Sequence, residues 1–307
     1  MTDSASTARP DGHDRLTRFL IEDAGVRGVH VRLDQAWQQI RERAQYPQAA
    51  AELLGEAAAA AALFTGHAKV DGRLSVQLRG EGALRTLFAE CTAAGTLRGI
   101  VQLAEEGGEV SRDLRQLGAN AVLAITIENP SAGGRDPIRY QGLVALESDS
   151  LAGAFEGYFR QSEQLPTRLL LAADGDRAAG LMLQKLPGDG GDEDGWTRVG
   201  ALFDTLGQAE LLELPADALL HRLFHEDGVQ SLGGKSLAFA CSCSRERVEA
   251  MLVSLGREEA EAAVEAAGGE AQIRCEFCGQ SYRFDPDQVA GLFAAAAAEL
   301  EAPQRVQ

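Results

Sequence analysis

Four of the chain's five cysteines fall in two tight pairs, "CSCSRERV" at 241–248 and "CEFCGQSYRFD" at 275–285, separated by 31 residues. Each pair can supply two sulfur ligands from a single turn. A short subdomain that folds back on itself would then join them into the tetrahedral four-thiolate set that zinc takes. The spacing predicts one zinc per chain held by Cys241, Cys243, Cys275 and Cys278, with unligated thiols or an iron–sulfur centre as the alternatives. Gly279, directly after the second pair, suits a turn whose backbone N–H groups point at thiolate sulfur.

The first pair is one residue shorter than the usual ribbon spacing. A disulfide inside Cys-x-Cys closes a very small ring, so it is strained and easily reduced. The constellation is therefore a structural staple, a metal site or a reversible redox device. Arg245 and Arg247 flank the first pair and Arg274 the second; they either favour thiolate character and offset the charge of a four-thiolate centre, or form a plain solvated face. His221 and His225, at i and i+4 on an expected helix, are a rival ligand set. Four cysteines already fill a structural zinc, so His225 reads as a helix-terminal cap near Gly228. Cys91 stands alone in a strand pattern and reads as a small buried hydrophobe. No Gly-x-Ser-x-Gly, phosphate-binding Gly-x-x-x-x-Gly-Lys or His-Glu-x-x-His is present, so no catalytic constellation competes and no enzyme is expected.

The elements that must position these residues follow from periodicity. From about 30 to 65 the pattern is helical, through "LDQAWQQIRERA" and the alanine-rich "PQAAAELLGEAAAAAALFTG", whose composition needs only high helix propensity and tight packing. "GRLSVQLRG" and "ALRTLFAEC" alternate as a hairpin, and "TLRGIVQLA", "AVLAITIE" and "IRYQGLVALE" continue the period of two. Helical spacing returns at 151–162, and "TRLLLAAD" with "AAGLMLQKL" completes a large domain over 12–187. Strands cluster rather than alternate with helices, so the fold class is α+β. "GDGGDEDG" at 188–195 has no apolar residue and reads as a mobile hinge. It opens a linker, 188–230, whose two short helices carry apolar faces of Trp196, Val199, Leu202, Phe203 and Leu206, and of Leu219, Leu220, Leu223 and Phe224. Helices of about three turns are marginal alone, so they are ordered by docking and form a metastable linker. A small zinc domain, 231–300, ends the chain.

Forty-six acids against 29 bases leave a formal net charge of −17 over 307 residues, which repels phosphate backbones. The segment 231–307 alone carries seven bases and twelve acids; a nucleic-acid-binding zinc module is disfavoured. The N-terminal "MTDSASTARPDGHD" lacks a signal-peptide pattern and reads as a flexible tail. The apolar runs are short of the roughly 18 residues of a membrane span, so the expected compartment is the cytoplasm, where permanent disulfides are rare. A thiol–disulfide oxidoreductase using Cys275 and Cys278 is a third class, weakened by the second pair nearby and by the lack of a thioredoxin-like βαβ context.

"YQGLVALE" (140–147), "SEQLPTRL" (162–169), "LQKLP" (183–187), "CSCSRERV" and "CEFCGQSYRFD" resemble, in order, the redox-regulated 33 kDa chaperonin family. The resemblance spans about 70–285. It implies an α+β core, a metastable helical linker and a C-terminal zinc domain in which the four cysteines bind zinc in a reduced, inactive state. It further implies that peroxide or hypochlorite converts them to two disulfides, Cys241–Cys243 and Cys275–Cys278, with release of zinc. The linker then undocks, apolar surface such as Trp196, Leu202, Phe203, Leu219 and Leu223 or the core beneath is exposed, and unfolding clients are held without ATP, the active form being a homodimer. The N-terminal tail, the glycine-rich hinge and Cys91 lie outside the family's pattern.

Overall fold

The computed structural model describes residues 13–131, 136–188 and 192–301; the N-terminal tail through residue 12 and residues 189–191 of the expected hinge lie outside them. The chain divides into two compact units, at Ala240 and Cys241.

The first unit is built of one antiparallel and one mostly antiparallel sheet around one helix. Strands β1 (Arg15–Ile21) and β2 (Val26–Leu33) precede α1 (Gln35–Arg41) and α2 (Gln48–His67). Five strands of the second sheet follow, β3 (Arg73–Arg79), β4 (Leu84–Thr92), β5 (Thr96–Leu103), β6 (Val122–Asn129) and β7 (Ile138–Val144), with β6 returning to pair with β3. Then come α3 (Leu151–Tyr158), running into a π-helical turn, and the hairpin β8 (Thr167–Ala173) and β9 (Ala178–Lys185). The linker holds α4 (Gly195–Phe203), α5 (Gln208–Glu213) and α6 (Ala216–Phe224), before β10 (Val229–Ser236) and β11 (Ala238–Phe239). One sheet has the order β10-β1-β2-β9-β8, the other β11-β5-β4-β3-β6-β7.

The alanine-rich α2 touches strands of both sheets, and every residue from Ala57 to Thr65 is buried. Small side chains are needed all round a helix enclosed in this way, because both sheets must approach its backbone. The sequence reading found no run long enough to cross a membrane. This 20-residue helix is long and apolar enough by composition, yet 83% of its most apolar window is buried inside the unit, as befits the central helix of a core. Cys91, on β4, is fully buried against this core, as its strand context suggested.

The expected hairpin of β3 and β4 is present, with Val76 opposite Ala89, and the two expected strands β8 and β9 pair antiparallel. Two departures matter. Residues 15–33 form a hairpin, with Phe19 opposite Gly28, so the helical reading that begins at about residue 30 starts too early; a Cβ at Gly28 would fall 2.1 Å from the Phe19 ring, so the ring lies across the glycine. Residues 231–240, assigned from sequence to the zinc domain, belong to the first unit. β10 pairs with β1, Lys235 opposite Leu16, and β11 pairs in parallel with β5, Ala238 opposite Thr96. An edge strand satisfies its backbone through such pairing whatever its side chains, which is why "VQSLGGKS" carries no alternation.

The linker helices lie on the outer face of the first sheet. Val199, Phe203, Leu206, Leu219, Leu220, Leu223 and Phe224 are buried there against Phe19, Ile21, Val26, Leu181 and Leu183, and Trp196 and Leu202 pack partly buried at the margin. α5, not expected from sequence, adds Leu211 and Leu212. In the described part of the hinge, the Asp192 N–H donates to the Asp23 carbonyl at 2.7 Å and its carboxylate pairs with Arg198 at 2.9 Å, so this end is tied to the core.

Because side chains alternate along β2, Val29, Val31 and Leu33 enter the central core, while His30 and Arg32 point to the linker side. Arg32 Nη1 donates to the Glu213 carbonyl, at the end of α5, at 3.0 Å. His30 is 1% exposed and its Nε2 has no hydrogen-bond partner. Burial first, and the charge of Arg32 second, hold its pKa down to about 4. A histidine with a depressed folded pKa is neutral in the packed state and takes up its proton first in the opened one. Packing is therefore unaffected above about 6.5 and weakens as pH falls below it. At roughly 1.4 kcal/mol per pH unit, about 2 kcal/mol is lost by pH 5. Thermal unfolding followed by tryptophan fluorescence should show that loss, and His30→Leu should reduce the slope, leaving the part due to His67, which burial also holds down to about 4; an unchanged slope in the variant would assign the acid sensitivity elsewhere.

The second unit contains α7 (Arg245–Leu255), α8 (Arg257–Ala266), the hairpin β12 (Ala271–Arg274) and β13 (Ser281–Phe284), and α9 (Pro286–Glu301). Among the described residues its buried apolar core is Leu252, Ala260, Val264, Ala271, Phe284 and Val289.

Candidate metal centre

Cys241 and Cys243 sit in the extended segment before α7, whose first turn is capped by the Ser244 hydroxyl accepting from the Arg247 N–H at 3.3 Å. Cys275 and Cys278 occupy the tip of the β12–β13 hairpin. There the Gly279 N–H donates to the Cys275 carbonyl and the Cys275 N–H to the Gln280 carbonyl, each at 2.8 Å. Gly279 has φ of +72°, which closes the knuckle as expected and strains any residue with a Cβ.

These local turns bring the four sulfurs together. All four Sγ atoms lie within 4.8 Å of one another. Cys241 and Cys275 approach to 3.7 Å and Cys243 and Cys278 to 3.2 Å, and no cysteine is in a disulfide. A tetrahedron with zinc–sulfur bonds of about 2.3 Å has edges of about 3.8 Å, so the donor set and its size fit that ion. Without a cation the grouping is electrostatically poor. Burial first, then hydrogen bonding with the neighbouring thiols of Cys243, Cys275 and Cys241, pushes the Cys278 thiol up to about 12, against a backbone hydrogen bond at Gln280 that favours thiolate. Four thiolates in this volume require a positive centre.

The arginines are engaged in ways their sequence positions did not reveal. Arg247 Nη1 donates to the Ser242 carbonyl at 2.7 Å, within the first knuckle. Arg245 stacks over the Phe284 ring at 4.4 Å and pairs with Glu249, while Arg274 lies beside Gly279. Arg247 thus braces the first turn, and Arg245 ties α7 to the hairpin. Sequence reasoning missed Tyr282, whose hydroxyl donates to Cys243 Sγ at 3.2 Å. That hydrogen bond is the first cause raising the phenol to about 12. The only signal was its place in the strand after the second pair, where register with Ile273 turns it inward.

The other residues singled out from sequence belong to the chain's first unit. Trp196, Leu202, Phe203, Leu219 and Leu223 are all on the linker helices. His221 and His225 are on the exposed side of α6, where His225 is the cap residue, its N–H donating to the His221 carbonyl. Cys91 is buried in the core, where burial raises its pKa to about 11.

The Hsp33 protein family model matches residues 14–285. The 33 kDa chaperonin of Ectopseudomonas mendocina (strain ymp) is 45% identical over 298 residues, 95% of this chain and 99% of that protein. That of Pseudomonas fluorescens (strain Pf0-1) is 42% identical over 297 residues, 95% of this chain and 97% of that protein. The crystal structure of the 33 kDa chaperonin (heat shock protein 33 homolog) from Thermotoga maritima superposes with a TM-score of 0.74 at 22% identity, covering 93% of this chain and 99% of that one. The two-sheet fold, the four gathered cysteines and a match that runs nearly the length of the chain agree: this protein belongs to the Hsp33 family.

Proposed function

We propose that this chain is a redox-regulated, ATP-independent holdase chaperone, switched on when its four zinc-bound cysteines are oxidised. The observation that carries this reading is the four-sulfur cluster in a unit whose described residues bury only a small apolar core. The family's name for its members, 33 kDa chaperonin, supports the client-holding activity. Bound zinc, one per chain, supplies positive charge that keeps all four sulfurs as thiolates, the nucleophilic form.

A thiolate attacks one peroxide oxygen and displaces hydroxide, leaving a sulfenic acid. The second thiolate of the pair attacks that sulfur and expels another hydroxide, forming the disulfide. Each pair loses two electrons, and with two protons the peroxide leaves as two waters. The pairing we assign is Cys241–Cys243 and Cys275–Cys278, and it matters for the outcome. Sulfurs also approach between the pairs, at 3.7 and 3.2 Å; disulfides there would close long loops and staple the unit shut. Disulfides within each pair uncouple the two knuckles and remove the ligand set, and with it the unit's main folding energy.

Ala240 and Cys241 are consecutive, so unfolding beyond Cys241 frays a segment that β11 holds through only two residues. From there release passes back through the polar β10 to α6, uncovering the apolar faces of Phe203, Leu219 and Leu223 and of the sheet beneath. These surfaces hold unfolding proteins by hydrophobic contact. Such clients are the partners, the oxidised form is a homodimer, no reaction is catalysed, and the compartment is the reducing cytoplasm.

One titration tests this. Reduced protein should contain one zinc and four thiols that react with peroxide, the fifth, Cys91, appearing only in denaturant. Aggregation of a heat-unfolded client should be suppressed in step with zinc release, and mass mapping should place both disulfides within the pairs. Complete oxidation without any gain in client protection would sink the proposal.

A further inference from the structure

We propose that His221 and His225 form a second metal site, for a borderline divalent ion of the nickel, copper or zinc type, on the exposed side of α6. The two rings stack with centroids 5.3 Å apart and planes at 18°. Two imidazoles on one ion, each with a metal–nitrogen bond of about 2.1 Å, have centroids roughly 5 Å apart. Histidines at i and i+4 of a helix are a recurrent metal-chelating pair because they share one face.

A second observation concerns the tautomer. His225 Nδ1 lies 3.0 Å from the His221 carbonyl at the end of α6. As donor there, it leaves the Nε2 lone pair for a ligand, the arrangement that backbone carbonyls impose on metal-bound histidines. Glu226 Oε1 is 3.8 Å from that Nε2, and Asp217 lies one turn before His221, so the local charge favours a cation. Both rings and Asp217 border a cavity of about 400 Å³ between α6 and the β1 and β10 strands, which leaves room for water to complete the coordination. Because χ2 of an exposed imidazole is broad, the His221 ring can turn its Nε2 toward an ion on His225 Nε2 while His225 keeps its Nδ1 bond.

The site exists only while the last turns of α6 are helical. The opposite side of that helix buries Leu219, Leu220, Leu223 and Phe224 against the first sheet. A bound ion therefore favours the docked linker, a consequence that rests on the switch proposed above. Free ion at ten times its Kd would shift the docked-to-undocked ratio about tenfold.

Nickel chloride titrated into reduced, zinc-loaded, full-length protein tests the site without reference to client holding. Calorimetry should show one saturable nickel per chain, with paramagnetic broadening of amide signals centred on residues 217–229 and no nickel–thiolate absorption band. His221→Gln and His225→Gln, both at exposed positions, should each weaken binding at least tenfold. Equal affinity in the double variant, broadening centred elsewhere, or no saturable binding below millimolar nickel would overturn the proposal. A protein that binds nickel in this way yet never protects a client would refute the chaperone reading and leave this site standing.

Discussion

Replacing Cys278 with serine is expected to leave the first unit folded and to unfold the second. Among the described residues the second unit buries two alanines, two valines, one leucine and one phenylalanine, a small apolar core of the kind that metal ligation commonly supplements in units of this size. Structural zinc in small domains contributes roughly 10–16 kcal/mol, far more than such a core. Serine keeps the shape of the side chain but is not a soft thiolate ligand, and the remaining three sulfurs leave one position open to water. The expected results are loss of stoichiometric zinc after dialysis and loss of hydrogen-exchange protection over α7–α9, with β1–β9 protected as before. Native zinc content together with native protection over α7–α9 would mean that packing, not metal, holds this unit, and the switch would lose its physical basis.

Leu219→Asp is expected to release the linker without any oxidant. Leu219 is fully buried on α6 against the outer face of the first sheet. Truncation of such a leucine to alanine costs about 2–5 kcal/mol, and a carboxylate placed there without a partner costs more. Helices as short as α4, α5 and α6 have little stability apart from this contact, so the whole linker should leave together. The central core is made by α2 and the opposite sheet faces and includes no residue of the three linker helices, so it should persist. Reduced, zinc-loaded Leu219→Asp should therefore suppress client aggregation at a level near that of oxidised wild type, with increased exchange at Phe19, Ile21 and Leu181. Leu232→Asp, at a half-exposed position on β10, serves as the neutral control. Linker release without client protection would separate undocking from the holding surface and direct attention to another face of the molecule.

Much of this protein was legible locally. Cys-x-Cys and Cys-x-x-Cys are knuckles set by a few residues each, and the glycine after the second pair has the positive φ that its place predicts. The β3–β4 hairpin and the strands β8 and β9 follow from alternation between adjacent segments. The linker helices announce their buried stripes because a helix on one sheet face has only one side to bury. Other features carry no local signal. α2 is apolar on every side because it is enclosed between two sheets, and Tyr282 reaches Cys243 only through the hairpin register. His30 is polar yet fully enclosed, since the linker folds over it from about 180 residues later in the chain.

The spacing of the two cysteine pairs was enough to indicate a metal-type cluster in the C-terminal part of the chain, because each knuckle depends on short-range geometry; the sequence divided the chain into 12–187, 188–230 and 231–300, while the structure divides it at Ala240 and Cys241. Where the second unit begins was decided only by tertiary pairing. Residues 229–239 belong to the first unit because β1 and β5 offer unpaired backbone donors and acceptors there, and hydrogen bonding between strands more than a hundred residues apart leaves no periodic trace in a polar edge strand.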